Sequence, residues 1–157
     1  MGFRCLAFSF AVGLSLVGLG GGAEAACYSA PEYRAARVRQ LQTELMVAAL
    51  SCARHPELAL RTKYNEFVNR FGPHLADNAT VLRGHFARHY GKRREREFDS
   101  YITSLANEAS MRALAVDDYC RAVAPMFDRV LRLEEPQLEA FAADVTAGSR
   151  LAKACAG

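Results

Sequence analysis

The sequence predicts an all-α protein, a single-domain bundle of five to six helices that two disulfides hold together. Beyond the N-terminus, apolar residues recur at spacings of three and four, which is the period of a helix packed against a core. No segment shows the sustained apolar and polar alternation that is typical of a strand. Four cysteines remain once an N-terminal export signal is set aside, and an even number in an exported chain predicts disulfides.

The N-terminus has the three parts of a secretory signal peptide. Arg4 supplies a positive charge, residues 6–20 carry none and are mostly apolar, and an Ala-Glu-Ala sequence that signal peptidase recognises ends at Ala25. The apolar run is shorter than the ~20 residues of a membrane span. We therefore expect residues 1–25 to be a cleaved signal peptide and residues 26–157 to be a helical domain, located in a bacterial periplasm and without a transmembrane segment after cleavage.

A cysteine close to the cleavage point also permits a lipoprotein interpretation. Lipidation of Cys27 requires a branched apolar residue three positions earlier, where Glu24 stands. It would also leave an odd number of other cysteines in the mature chain. The plain cleaved signal is therefore the favoured prediction.

The first predicted helix has the clearest boundaries. It begins at the capping box Ser29-Ala-Pro-Glu32, which satisfies amide groups at the helix start. It ends near Arg54, because Pro56 disfavours helical geometry in the preceding residue. One apolar stripe follows its length and consists of Val38, Leu41, Leu45, Ala48 and Cys52.

Two further helices are expected before the middle of the chain. The second covers about residues 57–71 and ends at Gly72-Pro73, and the third covers about residues 74–90 and ends at Gly91. Their inward residues are predicted to be Leu60, Tyr64, Phe67, Val68 and Phe71 in the second helix, and Leu75, Ala79, Leu82, Phe86 and Tyr90 in the third.

Three more helices complete the predicted bundle. The fourth covers about residues 93–113; the fifth is capped by Asp117, and Pro125 within it should cause a kink or a break. The sixth begins at residues 134–136 and ends at Gly148. Their inward residues are predicted to be Phe98, Ile102 or Tyr101, Leu105 and Ala109, then Cys120, Val123, Phe127 and Val130, then Leu138, Phe141 and Val145.

The predicted first helix restricts the disulfide pairing. Cys27 and Cys52 flank it and would lie ~35 Å apart at 1.5 Å per residue, whereas a disulfide needs Cα atoms within ~7 Å. This excludes Cys27–Cys52 and, with it, Cys120–Cys155. We favour Cys52–Cys120, because both lie on apolar faces, together with Cys27–Cys155, because domain termini are often close. The alternative of Cys27–Cys120 with Cys52–Cys155 stays open.

Two histidines in the third helix suggest one possible site. His85 and His89 lie one turn apart, with Cβ atoms ~6 Å from each other, which suits two ligands of Zn, Cu or Ni. His74 would be ~16 Å from His85, too far to join them, and the sequence indicates no third ligand. The favoured interpretation is therefore a pair of surface histidines beside an apolar stripe, and the metal site is the alternative.

The segment that follows carries most of the positive charge. Six cations stand against two carboxylates between Arg83 and Glu97, whereas the whole chain has a net charge of +3. Cations at the start of a helix oppose its macrodipole, which indicates a functional reason for them. Taken alone, the segment is more simply interpreted as a solvated helix start whose arginines pair with Glu95, Glu97 and Asp99, and a binding patch is the second interpretation. The predicted partner-binding residues are Arg88, Lys92, Arg93, Arg94 and Arg96.

These observations favour a binding protein over an enzyme. The sequence contains no nucleophile motif and no haem-attachment motif, and it implies no cofactor. We therefore expect an exported, non-enzymatic helical binding or scaffolding protein in the periplasm. Its partner would be an envelope protein or an anionic envelope component rather than nucleic acid. Two alternatives remain: a periplasmic metal-binding protein that uses His85 and His89, and a small hydrolase stapled by disulfides.

Overall fold

The computed structural model describes residues 27–156, so the predicted signal peptide lies outside the described residues. Within this part of the chain the structure is all-α, as the sequence predicts, and no helix is long and apolar enough to cross a bilayer. The helices are α1 (Ala30–Ser51), α2 (Leu60–Arg70), α3 (Gly72–Tyr90), α4 (Arg94–Ala115), α5 (Tyr119–Val130) and α6 (Leu138–Val145). Short 3-10 turns span Pro56–Leu58, Gly91–Arg93 and Glu135–Gln137.

The first helix is the centre of the bundle. Each of the other five helices contacts α1, which buries it on most of its circumference. The prediction of a single apolar stripe was therefore incomplete, because five neighbours cover faces that a stripe would leave to solvent. Among the buried residues of α1 are polar and charged ones, namely Glu32, Arg37, Gln40, Thr43 and Glu44.

Two predicted details in the local structure were wrong. The second helix does not begin at residue 57, because Ala59 has a left-handed backbone (φ 51°) that separates the 3-10 turn from α2. The cap of α5 is Asp118, also left-handed (φ 48°), rather than Asp117. For Pro125 a kink or a break was predicted, and the break does not occur, because α5 continues through this residue. The carbonyl that Pro125 deprives of a partner belongs to Arg121, which is exposed and open to water.

Two apolar clusters lie along α1. One surrounds its C-terminal half and contains Phe67, Phe71, Phe127 and Leu138, from α2, α5 and α6 and the residue that follows α2. The other surrounds its N-terminal end and is aromatic, with residues from α3, α4 and the two ends of the described chain: Tyr28, Phe86, Phe98 and Tyr101, with Leu82 and Leu105. The second cluster lies beneath the predicted binding segment.

The two disulfides follow the favoured pairing. Cys52–Cys120 joins α1 to α5 with its Cα atoms 5.6 Å apart, and Cys27–Cys155 joins the ends of the described chain at 4.9 Å. The second disulfide is flanked by two backbone hydrogen bonds. Tyr28 N–H donates to the carbonyl of Lys153 (2.9 Å), and Cys155 N–H donates to the carbonyl of Tyr28 (3.0 Å). The C-terminal tail is thereby fixed against the start of α1.

Candidate binding site at the α3–α4 corner

The predicted binding residues lie where α3 and α4 meet. A single 3-10 turn, Gly91–Arg93, joins the two helices. Gly91 has φ +52° and ψ −118°, a backbone conformation that residues with a Cβ atom rarely adopt. The short connection holds the helix ends together and places the cations on one corner. We call this set the basic corner; its members are all exposed and comprise Arg88, Lys92, Arg93, Arg94 and Arg96.

Part of the positive charge on the basic corner is neutralised by carboxylates of α4. Arg93 pairs with Glu97 at 3.3 Å, and Arg94 pairs with Glu95 at 3.2 Å. Glu95 is shared, because Arg83 of α3 also approaches it at 3.4 Å. Exposed pairs of this kind contribute only about 0–1 kcal/mol. An incoming anion can therefore replace these carboxylates at little cost.

Other cations of the corner differ in how they are held. Lys92 and Arg96 form no ion pair with any residue that the structure describes. Arg88 instead contacts Oε1 of Glu32, a buried carboxylate at the start of α1. This ion pair connects the basic corner to α1, the central helix of the bundle.

Glu32 is the polar centre beneath the corner. Its Oε2 accepts the backbone N–H of Ser29 at 2.9 Å, which is half of the capping box predicted for α1. The same oxygen lies 3.2 Å from Nδ1 of His85. One carboxylate thus caps α1, orients a buried imidazole and holds Arg88.

His85 is not a surface residue. Its side chain is fully buried and stacks on Tyr28, with ring centroids 3.9 Å apart and an angle of 11° between the planes. The interpretation of two exposed histidines was therefore wrong for this position, because the residues before α1 cross over α3 and cover it. His89 remains exposed, with its ring centroid 4.6 Å from that of His85.

The surroundings of His85 bear on the metal-binding alternative. Nε2 of His85 is buried and has no hydrogen-bond partner among the described residues, and Glu32 orients the ring through Nδ1. A carboxylate on one nitrogen is common for metal-bound histidines. However, within residues 27–156 no group of three or more His, Cys, Asp or Glu side chains is placed to hold a metal. Among the described residues, His85 and His89 are thus two candidate ligands without a third.

Burial makes the stability of the protein depend on pH through His85. Burial, helped by the nearby His89, lowers the pKa of His85 to about 4. The unfolded chain, with an ordinary pKa near 6.5, then binds more protons below that pH. We therefore expect up to about 3 kcal/mol of stability, present above pH 6.5, to be lost as the pH falls toward 4.

Urea unfolding at a series of pH values measures this effect. The variant His85→Gln should lose stability less steeply than wild type between pH 6.5 and 4, because glutamine does not titrate. The variant His89→Gln, which removes an exposed histidine of the same helix, should retain most of the wild-type slope, because burial contributes more than His89 to the lowered pKa of His85. Equal slopes for wild type and His85→Gln would contradict the assignment.

A second buried polar network was missed by the sequence analysis. Oε1 of Glu44 accepts hydrogen bonds from Gln40 (3.1 Å) and Arg112 (3.0 Å). Arg112 also pairs with Glu108, which accepts a hydrogen bond from Ser149 at 3.0 Å. Burial raises the pKa of Glu44 despite these partners. The network joins α1, α4 and the tail. The sequence analysis missed it because the polar residues that α1 contributes have the pattern of an ordinary solvent-exposed helix face.

Comparison with known proteins gives no relative from which a function can be transferred. No protein-family model matches the chain, and neither the curated proteins nor the solved structures contain a significant match. The proposed function therefore rests on the geometry of the basic corner and of the buried polar groups around Glu32 beneath it.

Proposed function

We propose that this chain is an exported, non-enzymatic helical binding protein that captures an anionic partner through the basic corner. The partner would be an envelope protein with an acidic surface or an anionic envelope component. One observation carries the proposal: exposed cations from the ends of two helices are concentrated on one rigid corner. Their ion pairs are weak and neutralise only part of the positive charge, so the cations can bind an anionic partner. Export is supported by the signal-like residues 1–25 and by the two disulfides, which persist in oxidising compartments.

The rigidity of the corner favours binding. The three-residue turn and the Arg88–Glu32 pair order the backbone around the cations before a partner arrives. Preorganised groups lose less conformational entropy on association. Clustered charge also accelerates encounter with a complementary surface. The position of Arg94 and Arg96 in the first turn of α4, where the helix dipole disfavours cations, is explained if binding rather than stability selects them.

Charge reversal tests the proposal. Changing Arg93, Arg94 and Arg96 to Glu should leave the helical circular-dichroism spectrum unchanged, because all three side chains are exposed. It should abolish the capture of partners from a solubilised envelope fraction. If lipid is the partner, it should also abolish binding to phosphatidylglycerol vesicles. Wild-type binding should weaken with added salt, because screening reduces the attraction between exposed charges.

A matched control distinguishes an effect of the basic corner from an effect of the total charge of the protein. Arg54, Arg61 and Arg132 are exposed and lie outside the corner, so changing them to Glu alters the total charge by the same amount. This control should retain most of the wild-type binding. Unchanged capture by the corner variant would refute the proposal, and equal losses in both variants would show that binding follows net charge alone.

A further inference from the structure

A cleft next to the basic corner has the composition of a small-ligand site. It lies between α4 and residues 150–153 of the C-terminal tail and has a volume of about 250 Å³. Three of its lining side chains are more than nine-tenths buried, Tyr28 (6% exposed), Phe86 (4%) and Tyr101 (9%). Ligand pockets usually have volumes of about 300–1,000 Å³, so only a small molecule fits this cleft.

The two tyrosines leave hydrogen-bonding capacity unused. The phenol oxygens of Tyr28 and Tyr101 form no hydrogen bond with any described residue, whereas that of Tyr33 accepts one from Arg37. Buried tyrosines normally find a partner for the hydroxyl. Neither oxygen is among the fully enclosed atoms without a partner in the described chain, so both reach space that water or a ligand can occupy.

The phenols are suited to donate hydrogen bonds to an anion. Burial raises the pKa of both Tyr28 and Tyr101 well above the ordinary value near 10, and one neighbouring phenol adds to the effect in each case, Tyr90 for Tyr28 and Tyr28 for Tyr101. Both therefore stay protonated at neutral pH, with an O–H group available. Donors of this kind bind an ionised oxygen more strongly than a neutral one.

The tail supplies positive charge to the same cleft. Arg150 and Lys153 line it, are exposed and form no ion pair with the described part of the chain. Glu97 is the one carboxylate among the lining residues, and it is paired with Arg93 at 3.3 Å. The balance of charge therefore favours an anionic ligand.

The remaining lining residues are apolar or aromatic. Phe86 stacks on Tyr90 with ring centroids 5.4 Å apart, and Leu151 lies on the side of the tail. We propose that the cleft binds a small organic carboxylate with an aromatic or short aliphatic body. The carboxylate contacts Tyr28, Tyr101 and the cations of the tail, and the body packs on Phe86 and Tyr90. This site goes beyond the proposed function, because it uses no cation of the basic corner.

Titration with phenylacetate tests the inference. The chain has no tryptophan and six tyrosines, so tyrosine fluorescence and calorimetry both report on the site without added labels. We expect saturable binding of phenylacetate that is at least about tenfold tighter than binding of benzyl alcohol, which lacks the charge, or of acetate, which lacks the ring. Similar affinity for phenylacetate and benzyl alcohol, or no saturable binding of phenylacetate, would overturn it.

Three double variants locate the ligand. Tyr28→Phe with Tyr101→Phe removes the hydroxyls and keeps the rings, and it should weaken phenylacetate binding about tenfold. Tyr64→Phe with Tyr119→Phe removes two hydroxyls outside the cleft and should change nothing. Arg150→Gln with Lys153→Gln should weaken binding of the anion and leave capture of partners by the basic corner intact. Wild-type affinity in the Tyr28 and Tyr101 variant would refute the site.

Discussion

Replacement of both Cys52 and Cys120 by alanine should lower the free energy of unfolding by about 5 kcal/mol. The disulfide closes a loop between residues 68 positions apart, for which the chain-entropy model gives about 4 kcal/mol. Cys52 is also buried in the larger apolar cluster, so loss of its sulfur adds a packing cost. Since the total free energy of unfolding of a single domain is about 5–15 kcal/mol, the variant should be only marginally stable. Urea unfolding by circular dichroism measures the change.

The other disulfide provides the matched control. Cys27–Cys155 joins residues 128 positions apart, so chain entropy alone gives its loss an effect about 0.5 kcal/mol larger than that of Cys52–Cys120. Cys155 is exposed, however, and its disulfide lies at the edge of the structure rather than in the core. We therefore expect Cys27→Ala with Cys155→Ala to be the less destabilising change. The reverse order would show that loop closure, and not core packing, dominates.

The fold class and the disulfide pairing were predictable because each depends on short-range rules. The capping box at Ser29 and the proline at position 56 bound α1 to within a few residues. The length of α1 then prevents Cys27 from reaching Cys52. The period of three and four residues identified most core positions, including Phe67, Phe86 and Phe127.

The central position of α1 was not predictable in the same way. Periodicity describes the face with the strongest apolar signal, but burial also depends on how many helices pack around an element. Glu44 and Arg37 are charged and therefore suggest solvent, yet both are buried because partners from α4 and the tail satisfy them. Left-handed Ala59 gives no signal either, since alanine rarely adopts this conformation.

The two candidate sites differ in how visible they are in the sequence. The basic corner is continuous along the chain, so counting charges locates it. The cleft is assembled from α3, α4, Tyr28 and the tail, and Cys27–Cys155 brings the last two together. Neither Arg150 nor Tyr28 stands out in the sequence. Only the fold shows that unpaired phenols and cations share one space.

Replacement of Glu32 by alanine should cost about 3 kcal/mol of stability, the second largest effect expected from a change of this kind. The loss of the capping acceptor for Ser29 contributes about 1 kcal/mol. Nδ1 of His85 would lose its partner inside the core, which contributes about 1–3 kcal/mol. Arg88 is mostly exposed, so the loss of its ion pair adds less than the loss of a fully buried pair.

Comparison with other variants separates these contributions in urea unfolding. Glu32→Gln keeps an oxygen acceptor for Ser29 and His85 and removes only the charge, so it should cost less than Glu32→Ala. Glu95→Ala removes a carboxylate with two arginine partners on the exposed side of the same corner and should change stability by no more than about 0.5 kcal/mol. If Glu32→Ala and Glu95→Ala changed the free energy of unfolding equally, Glu32 would contribute no more to stability than an exposed carboxylate does. A large difference would establish that the basic corner stands on a buried polar centre.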